Sequence, residues 1–284
     1  MVKPKATIVT IAQIGLERLL SLVLLSGALI SCQKIVSIDL NKANPQMVIE
    51  GIVTDQPTPD SVVLSKTGDY FKPSLYFPPV PNALVTISNG YGTIDTLKES
   101  NPGTYRSSGI NGVPGTTYML TVAAEGKVYS AASTMPEKVT IDSVYATPFR
   151  AFDGDVGYYL YIMFKDPPSP GNYYRVNLGI NRPLPPDSIT GERYHLYSDK
   201  LTNGNEITLR MRTGRSVLTG DTLTVELLCI DEASYDYFRT LNDILTSDRA
   251  PTSLAPTNPN TNLSNGSLGY FSAFTIDKRK IVLQ

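Results

Sequence analysis

From Met47 to Thr134 the chain is cut into short β-branched runs that leave no room for a helix. "MVIEGIVTD" (47–55) stops at the turn cluster "DQPTPD", and "SVVLSKT" (61–67) and "LVTIS" (84–88) follow. "GTIDTLKES" (92–100), "GTYRSS" (103–108), "TYMLTVAA" (117–124) and "KVYSAAST" (127–134) complete the series. Val, Ile, Thr and Tyr suit a pleated, half-buried surface, and the Gly, Pro, Asn and Asp between the runs suit turns. Glu125-Gly126 stands between two runs at hairpin spacing. "KPSLYFPPVPNA" (72–83) carries four prolines, cannot lie in a central strand, and reads as a loop over one end. About seven short strands in under a hundred residues predict an immunoglobulin-like or transthyretin-like β-sandwich over residues 46–138.

"TMPEKVTIDSV" (134–144) reads as the crossing to a second β-rich domain, 139–284. "GYYLYIMFKD" (157–166) alternates, with Tyr159, Tyr161 and Met163 on one face and Leu160, Ile162 and Phe164 on the other. "NYYRVNLGIN", "EITLRMR" and "DTLTVELLCID" add strands, and "GYFSAFTIDKRKIVL" supplies one or two closing ones. One helix is expected, from Asp231 to about Thr246. Asp231 is its N-cap, and Ala233, Tyr237, Leu241 and Ile244 or Leu245 form its apolar stripe. The segment "SDRAPTSLAPTNPNTNLSNGS" (247–267) is long, polar and rich in Pro and Asn. Loops of that length inside a compact domain are often functional.

The N-terminus carries a different signal. Leu19–Ser31 is apolar but too short for a bilayer core, which needs ~20 residues. Preceded by Lys3, Lys5 and Arg18, it fits a secretory signal. It ends Leu29-Ile30-Ser31-Cys32, which resembles a bacterial lipobox, with Leu29, Ile30 and Ser31 as signal peptidase II recognition residues and Cys32 as the lipidated one. Acylation of that kind anchors a protein without a transmembrane helix. Residues 1–31 are therefore expected to be a lipoprotein signal peptide and 32–45 a tether. Removing Lys3, Lys5, Arg18 and Glu17 leaves 22 basic and 25 acidic residues of the 25 and 26 in the sequence. That balance offers no basic face for nucleic acid. Cys229 is then left without a disulfide partner, and in a strand-like run it reads as a small buried hydrophobe.

The inventory of reactive groups is thin. The single histidine, His195 in "RYHLYSD", has no G-x-S-x-G elbow to serve. One His and one free Cys make a poor zinc set. "FDGDVG" (152–157) places Asp153 and Asp155 two apart but lacks the rest of a calcium loop and reads as a turn. Asp231, Glu232 and Asp236 in "DEASYD" could suggest paired carboxylates, but at a helix start capping and the dipole account for them. "GYGTID" lacks the Lys-Ser/Thr of a phosphate loop. No cofactor or metal is expected, and the chain reads as non-enzymatic. Tyr158, Tyr159, Tyr161, Tyr173 and Tyr174 cluster on two strands, as core packing or as a surface that binds glycans or proteins.

Several stretches in order resemble a known family. They are "IDLNKANPQMVIEGIVTDQP" close behind the lipobox, "VVLSKTGDYF", "FPPVPNALVTISN", "GTYRSSGINGVPGTTYMLTV", "STMPEKVTIDSV", "LYSDKLTNGNEITL", "VELLCIDEASYDYFRTLNDIL" and "NGSLGYFSA". Together they are similar to the Bacteroidota lipoproteins that carry the domain of unknown function numbered 4249. The resemblance implies an outer-membrane lipoprotein with an immunoglobulin-like first domain, commonly encoded beside TonB-dependent receptors. It carries over no catalytic residue. Gln33–Ile38 holds no acidic residue and Asp39 is the first, which leaves open whether the protein faces the periplasm or the cell exterior. The expected role is a lipid-anchored binding or accessory component of a TonB-dependent receptor, with a glycan or peptide ligand. Candidate contacts are Tyr76 and Phe77 in the Pro-rich loop and Asn258, Asn260 and Asn262 in the long loop. The alternatives are a cell-surface hydrolase or a structural, adhesive module.

Overall fold

The last strand of the chain joins the two halves of its largest described sheet. The computed structural model describes residues 45–58, 60–68, 77–150, 156–181, 195–213, 217–247 and 257–284. Strands β1 (Met47–Thr54), β2 (Ser61–Lys66), β3 (Leu84–Ser88), β4 (Ile94–Thr96), β5 (Lys98–Asn101), β6 (Thr104–Arg106), β7 (Thr117–Ala124) and β8 (Lys127–Thr134) occupy the first half. β9 (Ile141–Arg150), β10 (Val156–Lys165), β11 (Tyr173–Ile180), β12 (His195–Ser198), β13 (Glu206–Arg212) and β14 (Thr222–Ile230) follow. Helix α1 (Glu232–Ser247) and β15 (Leu268–Val282) end the chain. The protein is a mostly β, sandwich-like fold with a single α-helix among the described residues.

Eight strands form one sheet in the order β12-β11-β14-β15-β1-β2-β6-β5. The first part of β15 runs parallel to β1, with Val48 opposite Leu268 and Thr54 opposite Phe274. Its second part runs antiparallel to β14, from Cys229 opposite Thr275 to Thr222 opposite Val282. One 15-residue strand thus joins two half-sheets. β1 ends at Thr54, and the Asp55 carboxylate takes over its place by accepting the Ile276 N–H at 2.9 Å. The ammonium of Lys138 donates to the same carboxylate at 2.9 Å.

Among the described residues two small sheets accompany the large one, β4-β3-β7-β8 and β13-β10-β9. The first shares a core with the β1 half of the large sheet, centred on Ile49, Val53, Leu64, Ile87, Leu120 and Phe271. The second shares a core with the β14 half, centred on Leu160, Ile162, Phe164, Val176, Val225 and Leu227. The boundary read at residue 138 therefore marks a change of core. It does not mark a break in the sheet, and residues 44–284 form one compact unit. The run 92–100 splits at Leu97, which is buried and donates its N–H to Val85 O at 2.9 Å. β4 before it joins a small sheet and β5 after it joins the large one, making a sandwich corner. The Glu125-Gly126 hairpin turns with positive φ at both residues, 52° and 75°, the geometry that matches strand twist.

Helix α1 starts where the sequence places it. Asp231 caps it by accepting the Ser234 N–H at 2.9 Å, and its other oxygen accepts the Ser133 hydroxyl at 2.6 Å. That hydroxyl also accepts the Ala273 N–H at 2.8 Å, tying β8, β15 and the helix start together. The buried stripe is Ser234, Tyr237 and Phe238, with Leu241 half-buried, while Ala233 and Leu245 are exposed. Cys229 lies in the second core, where its sulfur accepts the Val139 N–H at 3.3 Å.

Candidate functional site

Each half of the large sheet has one face turned to a small sheet. The opposite face carries α1 and a cavity of about 320 Å³. Register explains its chemistry. Asn177 on β11 stands opposite Glu226 on β14, which stands opposite Lys278 on β15. These three form a polar row: the Asn177 amide donates to Glu226 at 3.3 Å, and Lys278 pairs with Glu226 at 2.9 Å. One pleat along, Arg175, Leu228 and Ile276 form the next row. Ile230, Phe274 and Ile52 extend the apolar floor. α1 closes one end with Phe238, whose ring lies 4.1 Å under the Arg175 guanidinium and 4.9 Å from the Tyr270 ring. Arg175 Nε also donates to Asn177 at 3.1 Å. The result is an apolar floor beside a charged, internally matched edge, the usual make-up of a small-ligand site.

The polar groups of this arrangement are engaged with one another. Glu226 is held by Asn177 and Lys278, and the Ser272 hydroxyl at the floor is engaged by Ser234 at 2.8 Å. His195 stands opposite Val176, a residue of the second core, so it belongs to the other face of the sheet. Among the described residues no cluster of three His, Cys, Asp or Glu side chains converges as a metal site would require. No helix among the described residues is long and apolar enough to cross a membrane.

The residues singled out from sequence fall elsewhere. Leu29, Ile30, Ser31, Cys32 and Tyr76 lie outside the described residues, as do Asp153 and Asp155. Phe77 is exposed, at the start of a segment laid along β2. Lys66 donates its N–H to Pro78 O at 2.9 Å, and Val80 donates its N–H to Leu64 O at 3.0 Å. Asn258 is exposed. Asn260 is engaged with the helix: its amide donates to Asp236 at 2.5 Å and its N–H to the Thr240 hydroxyl at 3.0 Å. That bond and the Arg239 guanidinium hold the Asp236 carboxyl below its ordinary range. Asn262 substitutes for a strand, donating to Phe271 O at 2.7 Å and Ala132 O at 3.2 Å and accepting the Phe271 N–H at 3.0 Å. With Ser264, which accepts the Ser130 N–H through its side chain at 2.8 Å, it covers the free edge of β8. The described part of the long loop is thus an edge cover as well as a surface. Asn262→Ala is expected to cost about 2–3 kcal/mol in a urea titration, because it orphans backbone groups. Asn258→Ala, at an exposed position, should stay within about 0.5 kcal/mol of the parent.

The tyrosine cluster divides by strand parity. Tyr158 and Tyr174 are core residues, and Tyr173 meets Tyr235 of the helix at 5.0 Å. The Tyr174 hydroxyl donates to the buried Asp166 at 2.5 Å, and burial pushes its pKa up. Tyr159 and Tyr161 point outward from β10 and stay half-buried. Sequence reasoning missed Arg175, Asn177, Glu226 and Lys278. Alternation along each strand would have put them on one face, but nothing local says that β11, β14 and β15 are neighbours. No curated protein matches this chain. Its residues 33–280 match the family described as domain of unknown function (DUF4249), and the chain belongs to that family.

Proposed function

We propose that this chain is a non-enzymatic, lipid-anchored binding protein of the outer membrane, working beside a TonB-dependent uptake receptor. Lipid on Cys32 holds it at the membrane, and the cavity on the large sheet receives an amphipathic ligand such as a peptide or a glycan fragment. The observation that carries the reading is the cavity itself. Its floor of Leu228, Ile230, Phe274 and Ile276 suits an apolar face, and its Asn177–Glu226–Lys278 row suits a polar one. Among the described residues the hydroxyl on its floor, Ser272, is bonded to a second hydroxyl, that of Ser234, which favours binding over turnover. The lipobox supplies the anchor.

The test is purification of the tagged full-length protein from native membranes in gentle detergent, with partners identified by mass spectrometry. A β-barrel receptor recovered in near-equal amount is the expected result. Cys32→Ala should move the protein out of the membrane fraction. Recovery of the lipoprotein alone, under conditions that keep it membrane-bound, overturns the accessory role.

A further inference from the structure

The outer face of the β13-β10-β9 sheet carries an aromatic and cationic patch. Register places Tyr161 between Tyr145 and Arg210, and Tyr159 between Thr147 and Arg212. The Tyr145 and Tyr161 rings stack at 4.7 Å and 7°. Phe149 and Tyr159 pair at 4.6 Å. Arg212 lies 4.4 Å over Phe149, and Arg210 lies 5.0 Å over Tyr159. Both arginines are exposed, and neither has a carboxylate partner among the described residues. The one acid on this face of β10 and β13 is Glu206, at the far end opposite Lys165.

We propose that this face docks a protein partner that presents acidic side chains. Tyr, Phe, Met and Arg are the residues enriched at the centres of protein interfaces, and Met163 adds the thioether. Two guanidinium groups parked on rings are preorganised to accept carboxylates two-pronged, at little further cost in side-chain entropy. Each of the four rings already has a face taken by a neighbour or a guanidinium. A sugar stacks on open ring faces, so rings already paired in this way suit a broad protein surface better. The patch runs ~20 Å along strands spaced ~4.8 Å apart. Its area is therefore ~300 Å², the centre of a standard interface of ~800 Å² per partner. Pro148 on β9 blocks strand addition at that edge of the sheet and leaves the face beside it for docking.

The proposal names the surface used by the partner suggested above, and so rests on that reading. The full-length lipoprotein, carrying the photo-crosslinker p-benzoylphenylalanine at exposed Thr208, is irradiated in native membranes. Exposed Met119, on the other small sheet, is the control position. One acidic-surfaced protein is expected to crosslink at 208 and not at 119. The yield should fall at least tenfold in Arg210→Glu/Arg212→Glu, fall less in the double Lys variant, and fall as salt rises to 0.5 M. An unchanged melting curve for the Glu variant separates lost docking from lost fold. A co-purifying receptor that does not crosslink at 208 overturns the docking face while leaving the accessory role intact. Arginine-dependent crosslinking of a protein that is no barrel receptor supports the face and overturns the receptor. A product insensitive to the arginines, a second copy of this chain, or release by a soluble polyuronate but not by polyglutamate overturns the proposal.

Discussion

Replacing Asp60 with asparagine is expected to stabilise the protein by about 4 kcal/mol at pH 8 and by about 1–2 kcal/mol at pH 5. Asp60 precedes β2 and is 2% exposed. One carboxylate oxygen accepts the Thr54 N–H at 2.8 Å, and the other is buried with no partner among the described residues. Burial pushes its pKa up to about 7; the Thr54 bonds pull it down, and the charge of Asp95 adds to the rise. Asp95 itself keeps its proton less readily. Burial works against its charge, but the Ser107 hydroxyl and the Gly109 and Ser108 amides outweigh it and lower its pKa. The folded state therefore holds a proton on Asp60 that the unfolded chain has lost by pH ~4. Stability falls as pH rises from about 4 to about 7 and is flat beyond, up to a total of ~4 kcal/mol. Asparagine keeps the acceptor for Thr54 and has no charge to bury. Guanidinium titrations of both proteins at pH 5 and pH 8 check this. Equal gains at the two pH values would mean that Asp60 is already ionised in the folded state.

What the sequence disclosed and what it withheld divide along contact range. Strand alternation, the Glu125-Gly126 hairpin and the Asp231 cap are local devices, and all stand where the residues place them. The helix stripe was only half legible. A 3.6-residue period through Tyr237 and Leu241 admits either Ala233 or Phe238 as a neighbour. Packing against Tyr270 and Arg175 selects Phe238. The parallel pairing of β1 with β15 links residues more than two hundred apart, and no local pattern announces it. Without that pairing the two cores read as two domains, and the cavity, which depends on β11, β14, β15 and β1 being neighbours, does not exist on paper. Asn262 shows the complementary failure. Its polarity marks a loop, but its amide serves as a piece of strand, and amide-to-backbone bonding leaves no compositional trace.

The seam between β1 and β15 is also where a single methyl group should do most damage. Gly269 stands opposite Ile49 with φ of +96°, and a Cβ there would lie 2.1 Å from Ile49 O and 2.8 Å from Ile49 C. Both atoms are backbone of the paired strand, so no rotamer change relieves the overlap. Ile49 is fully buried in the first core, and Gly269 O is fixed by the Thr261 hydroxyl at 2.7 Å, so the seam cannot open without exposing apolar surface. Gly92 offers a matched control: its φ is +94° and nothing lies within 4 Å of its Cβ position. Gly92→Ala should cost about 1–2 kcal/mol, the conformational penalty alone. Gly269→Ala carries that penalty plus the clash, more than about 4 kcal/mol in all, enough to leave little folded chain. Denaturant titration of the two variants beside the parent separates the contributions. If Gly269→Ala is no less stable than Gly92→Ala, β15 does not lie against β1 at Ile49, and the joining of the two half-sheets through one strand falls with it.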